Sequence, residues 1–168
     1  MSDSCSKLGI EVKCRNNIIL INEHIVEHGI KLSRVVAVKK FKNILKGEKG
    51  GYVQSQRNIS GNGWVADNAK VYGKAIVKDS AVVSGDAIVK DNAVVGNYAI
   101  VTDKVVISGN AKILNWAKIS GKALVCGQVS GTASVGGMAI VKGLVSGNAL
   151  ITCVREVAST EVISGMTV

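Results

Sequence analysis

Along most of the chain the apolar positions come in pairs two residues apart, and the pairs recur every six residues. In AIVKDSAVVSGDAIVKDNAVV, Ala75 to Val95, a small residue is followed after one spacer by a β-branched residue, and after a second spacer by Gly, Asp or Asn. The β-branched slot reads Val53, Ile59, Val65, Val71, Val77, Val83, Val89, Val95, Val101, Ile107, Ile113, Ile119 and Val125, thirteen in succession at spacing six. Two residues before it stand Ala69, Ala75, Ala81, Ala87, Ala93, Ala99, Ala111, Ala117 and Ala123. Two residues after it come Gly61, Asp67, Gly73, Asp79, Gly85, Asp91, Asn97, Asp103, Gly109, Asn115, Gly121 and Gly127. Side chains alternate between the two sides of a strand, so Ala and Val of each unit face one way and the residue between them faces the other. Gly, Asp and Asn then bend the chain, because they tolerate left-handed backbone.

A short strand and a corner every six residues close into a triangular coil after three units. Coils stacked at roughly 4.8 Å over residues 53–152 predict about six turns and a prism near 30 Å long. Each inward Val or Ile gains about 1.5–3 kcal/mol from burial, so packing alone accounts for the strictness of the repeat. The small, aliphatic and turn positions together resemble the hexapeptide-repeat, left-handed β-helix proteins. That resemblance implies the left hand of the coil, which the spacing does not determine.

The repeat slips twice. Val129 follows Val125 by four residues, Val135 and Val141 resume the six, Val145 again comes after four, and Ile151 resumes. Both slips fall on the same edge, which predicts a stack that tapers there. Beyond Ile151 the pattern continues at Val157 and Ile163, but Arg155 and Glu161 occupy small-residue slots. Residues 153–168 therefore read as a C-terminal cap or a partly detached strand covering the open end.

The residues between the inward pairs form three outward columns. One is Lys70, Ile88, Val106, Leu124, Ile140; a second is Trp64, Val82, Ile100, Lys118, Ser134, Leu150; the third is Ile76, Val94, Lys112, Gln128, Leu144. An outer ladder of Ile88, Val106, Leu124 and Ile140 calls for a cover. A homotrimer with parallel axes, the usual assembly of the family resembled, supplies one.

Residues 1–52 depart from the repeat and read as a small N-terminal α+β cap. Alternation in IEVKCR and IILIN around Asn16 and Asn17 predicts a hairpin, KLSRVVAVKKF a further strand, and NEHIVEH a turn or two of helix. The segment RVVAVKKFKNILKGEKGGYV with GNGWVADNAKVYGKA resembles a module of phage- and prophage-encoded hexapeptide-repeat proteins, labelled transferases by fold. The matching positions are Phe41, Leu45, Lys46, Gly47, Gly50, Gly51, Tyr52, Trp64 and Val65, and Lys40 stands where that pattern carries Asp. The resemblance implies a capped β-helix of mobile-element origin.

Composition narrows the chemistry. The 168 residues are 47% hydrophobic but only 4% aromatic, with 19 Gly and no Pro, and the longest apolar runs are a few residues, so neither a membrane span nor a signal peptide is expected and the cytoplasm is the expected site of action. Cys5, Cys14, Cys126 and Cys153 lack paired spacing and read as free thiols. In the family resembled, CoA-dependent acyl transfer uses a His as general base at a subunit interface, yet the two histidines, His24 and His28, lie in the cap and residues 53–152 hold no Glu. Asp79 and Asp91 occupy corner slots and read as turn formers. His24 and His28 with Glu23 and Glu27 would cluster on a helix, but without a third ligand a solvated face is the plainer reading. Gly50-Gly51 lacks the spacing of a phosphate loop and suits a turn from cap to coil. No catalytic residue, cofactor or metal is therefore expected.

The formal charge of +9 favours anionic partners. Lys39, Lys40, Lys42, Lys46 and Lys49 crowd the cap, and Lys104 and Lys122 fall one coil apart; of these, Lys39, Lys40, Lys42, Lys46, Lys104 and Lys122 form the expected ligand-binding set. The expected ligand is an anion resembling a nucleotide, or else a host protein to be blocked, with a CoA-dependent acyltransferase or a structural virion or assembly protein as the alternatives. Few aromatics are available for base stacking, mainly Trp64, Trp116, Tyr52, Tyr72 and Tyr98, which weighs against nucleic acid.

Overall fold

The computed structural model describes residues 16–165. It is an all-β parallel solenoid of about six turns, its three faces each a parallel sheet built from two- and three-residue strands. Register follows the repeat. Val106 pairs with Ile88 above and Leu124 below, Lys112 with Val94 and Gln128, and Lys118 with Ile100 and Ser134. The three outward columns therefore stand as the sequence places them, and we call them the first face (Lys70 to Ile140), the second (Ile76 to Leu144) and the third (Trp64 to Leu150).

Inside the prism, the alanines and the β-branched residues from Val53 to Ile151 are shielded from solvent almost completely. Each coil also hydrogen-bonds to the next through its backbone, as in Lys70 N to Ala87 O at 2.9 Å and Tyr72 N to Val89 O at 3.0 Å. At fourteen corners the second residue adopts positive φ, eight times Gly and six times Asp or Asn. Asp or Asn there does more than permit the bend. Asp67, Asp91 and Asp103 each accept from the backbone N–H of the glycine one coil on, Gly85, Gly109 and Gly121, at 2.8–2.9 Å. Asp79 accepts likewise from Asn97, and Asn97 from Asn115. Asp79 and Asp91 are turn residues, as their slots predict.

The N-terminal region differs from the expected α+β cap. Among the described residues there is no α-helix, only a single 3-10 turn at Gln56–Asn58. NEHIVEH lies in a strand, β1 (Ile18–Glu27), which pairs antiparallel with β2 (Ile30–Ala37). The turn is His28-Gly29, φ +48° and +77°, a two-residue connection with both central residues left-handed. The hairpin thus closes at His28-Gly29, and the partner strand expected before Asn16 lies outside the described residues. β2 pairs antiparallel with β3 (Lys49–Val53), and β3 runs parallel to the strand Lys70–Val71, so the hairpin extends the first face into a nine-stranded sheet.

Arg34 ties hairpin to coils. Its guanidinium lies 4.5 Å over the Tyr52 ring, pairs with Glu23 at 2.9 Å, and donates to the carbonyls of Gly50 and Asp67. Gly50 and Gly51 belong to β3 and form no turn. A Cβ on Gly50 would meet the Val65 carbonyl at 2.3 Å, so the glycines let β3 lie directly on the first coil.

Both slips shorten the corner between the first and second faces from four residues to two, at Cys126-Gly127 and Lys142-Gly143. Leu124 pairs with Ile140 and Gln128 with Leu144, sixteen residues apart instead of eighteen. The expected taper is instead a notch. Below the two short corners the chain returns to a full corner at 158–161, because Glu156–Val157 and Val162–Ser164 pair parallel with the coil above. The tail therefore continues the solenoid. Arg155 and Glu161, in slots filled by small residues elsewhere, pair with each other at 2.8 Å on this last turn.

Candidate anion-binding face

The cap lysines have divergent fates. Lys49 is paired with Glu23 at 2.8 Å, and Lys70, just below, with Glu27 at 2.7 Å. These contacts hold both glutamates below the usual carboxylate range, led in each case by the lysine hydrogen bond. Lys42 donates its ammonium to the Ser80 carbonyl, and its partial burial lowers its pKa. It works as a clamp on the 38–47 loop. Phe41 of the same loop meets Trp64 edge-on at 5.7 Å, so Trp64, outward by register, is only 2% exposed. Lys39, Lys40 and Lys46 are exposed, with no acidic partner among the described residues.

Lys104 and Lys122 do stack. Each is the third residue of a corner between the third and first faces, where Asp103 accepts from Gly121 N–H and Lys104 N–H donates to the Gly121 carbonyl. Around the same coil as Lys122, Lys112 projects from the second face and Lys118 from the third. All four are exposed and make no ion pair among the described residues, although Asp103 adjoins Lys104 and Asp86 holds the same corner slot one coil above it. Nothing in the spacing marks Lys112 and Lys118 as candidates, because they sit in columns that are otherwise mostly apolar.

Sequence position explains why these charges are unopposed: between Asp103 and Glu156 the chain contains neither Asp nor Glu. Acidic residues are confined to the cap, the upper coils and the last turn. In that last turn Glu156 pairs with Lys142 at 2.7 Å, raising the lysine pKa chiefly through their hydrogen bond. The lower half of the prism is basic on its second and third faces.

Of the aromatics, Trp64 and Tyr72 are buried and Tyr52 is covered by Arg34. Tyr98 and Trp116 remain, and the corner between the second and third faces brings them together. Asn97 and Asn115, both left-handed, are linked by the Asn115 N–H to Asn97 Oδ1 bond of 3.1 Å, which fixes the following residues in register. The two rings lie parallel within 5° with centroids 5.6 Å apart, yet each stays open to solvent, 57% and 59% exposed. Lys112 and Lys118 flank Trp116 on either side of the corner.

Along the first face, Ile88, Val106 and Ile140 are half-buried and Leu124 is 43% exposed, so the proposed subunit ladder is continuous but shallow. The notch between the first and second faces is a cavity of about 330 Å³ lined by Asn110, Cys126, Gln128, Lys142 and Glu161 among others. Cys126 and Cys153 are free, exposed thiols, as expected; Cys5 and Cys14 lie outside the described residues. His28 sits in the hairpin turn, and His24 lies on β1 opposite Ser33. No group of three metal-ligating side chains forms among the described residues.

Comparison with protein-family models and with curated proteins gave no match. The parallel β-solenoid is therefore the level at which the chain is classified.

Proposed function

We propose that this protein acts by binding, holding an anionic ligand on the basic lower half of its second and third faces. The observation that carries this reading is the run between Asp103 and Glu156 without an acidic residue, which leaves Lys112, Lys118 and Lys122 unneutralised around one coil, with Lys104 stacked above Lys122. A rigid prism keeps those charges at fixed spacing and pays little ordering cost on binding. Lys39, Lys40 and Lys46 extend the field towards the cap; Lys42, engaged with Ser80, contributes structure.

The resemblance to hexapeptide-repeat coils, including those carried by phages, supplies the finer proposal. The coil is left-handed, the protein self-associates as a trimer through Ile88, Val106, Leu124 and Ile140, and it works in the host cytoplasm by sequestering an anionic ligand. The charge distribution favours sequestration over blocking a host protein. The test is calorimetric titration with polyphosphate of the protein and of its Lys104→Glu/Lys122→Glu form. Binding should be abolished while circular dichroism and the unfolding midpoint stay in place. Unchanged binding would remove these lysines from the site.

A further inference from the structure

The Tyr98–Trp116 stack has no structural task equal to its size. Two large rings at an exposed corner support no core residue, and Ser80 and Thr132 occupy the equivalent positions in the coils above and below. What the stack does present is a planar apolar surface with lysines on both sides. Resting on the anion-binding reading above, we infer that this corner binds single-stranded nucleic acid, with a base laid on the indole of Trp116 and the sugar-phosphate chain running onto Lys118 and Lys122.

The chemistry of the surface selects that ligand class. A compact inorganic anion uses the lysines and gains nothing from the rings. A single strand offers both a phosphate at each step and unpaired bases whose π-faces stack on aromatic side chains without regard to sequence. Small neighbours leave room for such a base. Thr132, one coil below Trp116, is a short side chain at a corner where Trp116 N–H donates to the Gly131 carbonyl at 2.9 Å, so the lower face of the indole is unobstructed by another ring. From there the third face leads in two strand residues past Lys118 to the next corner and Lys122. Duplex DNA keeps its bases stacked inside and reaches only the lysines. The scarcity of aromatics is offset by placement, since the two that are solvent-exposed form one platform.

Trp116 also reports on the site, because the other tryptophan, Trp64, is buried under Phe41 and serves as an internal reference. The experiment is fluorescence titration of the full chain with oligothymidylate of about twelve nucleotides, a duplex of equal length, thymidine monophosphate, and polyphosphate. The single strand is expected to quench emission and to bind more tightly than the duplex or the mononucleotide. Its log K should fall with log salt at a slope of about −2 to −3, the value for three to four phosphates on a single strand. Trp116→Ala should weaken the single strand about 5- to 150-fold and leave polyphosphate binding unchanged; Trp116→Phe should restore part of the loss.

Equal affinity for oligothymidylate and polyphosphate without quenching would overturn the inference and leave the basic-face reading intact, whereas no binding of either would overturn both. Mononucleotide affinity matching that of the oligomer would overturn the strand. If Trp116→Ala spares oligonucleotide binding but lowers the sedimenting mass, the aromatic corner is a contact between subunits and the inference falls.

Discussion

At each regular corner one residue holds left-handed backbone, and the identity of that residue decides whether a side-chain bond to the next coil is added to the backbone ones. Gly supplies the conformation alone; Asp adds an acceptor for the N–H eighteen residues on, as Asp91 does for Gly109. Glycine at a short corner has a different reason to be there. Gly127 does not lie in the left-handed region, but a Cβ on it would meet the Gly143 carbonyl at 2.1 Å. Gly109 has φ +64° and nothing within 4 Å of the added atom. Gly109→Ala should therefore cost only the left-handed penalty of about 1–2 kcal/mol, while Gly127→Ala should cost more than about 3 kcal/mol because backbone must move. Urea midpoints of the two variants check the order, and equal losses would contradict it.

The hairpin and its loop show what an element needs beyond its own sequence. Glu23 and Glu27 on β1 reach Arg34, Lys49 and Lys70, so the strand is fastened by charge as well as by pairing. Both carboxyls titrate below their ordinary value. The stabilisation they give is thus fully present above the ordinary glutamate range, about 4.3, and is lost as pH falls through the lowered folded values. Protection factors of the β1 amides should fall at acidic pH ahead of those of the coils. The 38–47 loop depends instead on one ring: Phe41→Ala should uncover Trp64, shift its emission to the red and expose the loop to protease, at a cost of about 3 kcal/mol or more.

These same elements mark where the sequence could be read and where it could not. Register, columns and corner residues follow from a period of six, because each inward side chain is dictated by its immediate neighbours. NEHIVEH misleads because its spacing of four in Glu and His suits a helix, whereas pairing with β2 and the left-handed His28-Gly29 turn impose a strand. The burial of Trp64 and the diversion of Lys42 to Ser80 arise from a loop folding back over the coils, which no local pattern encodes. For the candidate face, the Lys104 and Lys122 stack was legible from spacing. The stacking of Tyr98 on Trp116 was implicit in it too, but only the corner geometry shows that both rings stay open.

For the molecule as a whole, linear stacking means that each coil is stabilised by its two neighbours and the ends by one. Hydrogen exchange should therefore be slowest in the middle coils, around Val95 to Val125, and faster towards both termini. The last turn is protected in part by the Arg155–Glu161 pair. If the first face is the subunit interface, Leu124→Asp should convert the sedimenting species to monomer without loss of β signal; an unchanged mass would remove that face from the assembly.

The notch carries a lesson about how such a chain can vary. Two successive coils are two residues shorter at the same corner, yet every inward side chain keeps its orientation, since a strand's sidedness survives any even change in length. Perimeter and core phase are thereby decoupled. Lineages of this fold should tolerate paired deletions and insertions at corners while rejecting odd ones, and inserting two residues between Cys126 and Gly127 offers a way to refill the notch without rewriting the core.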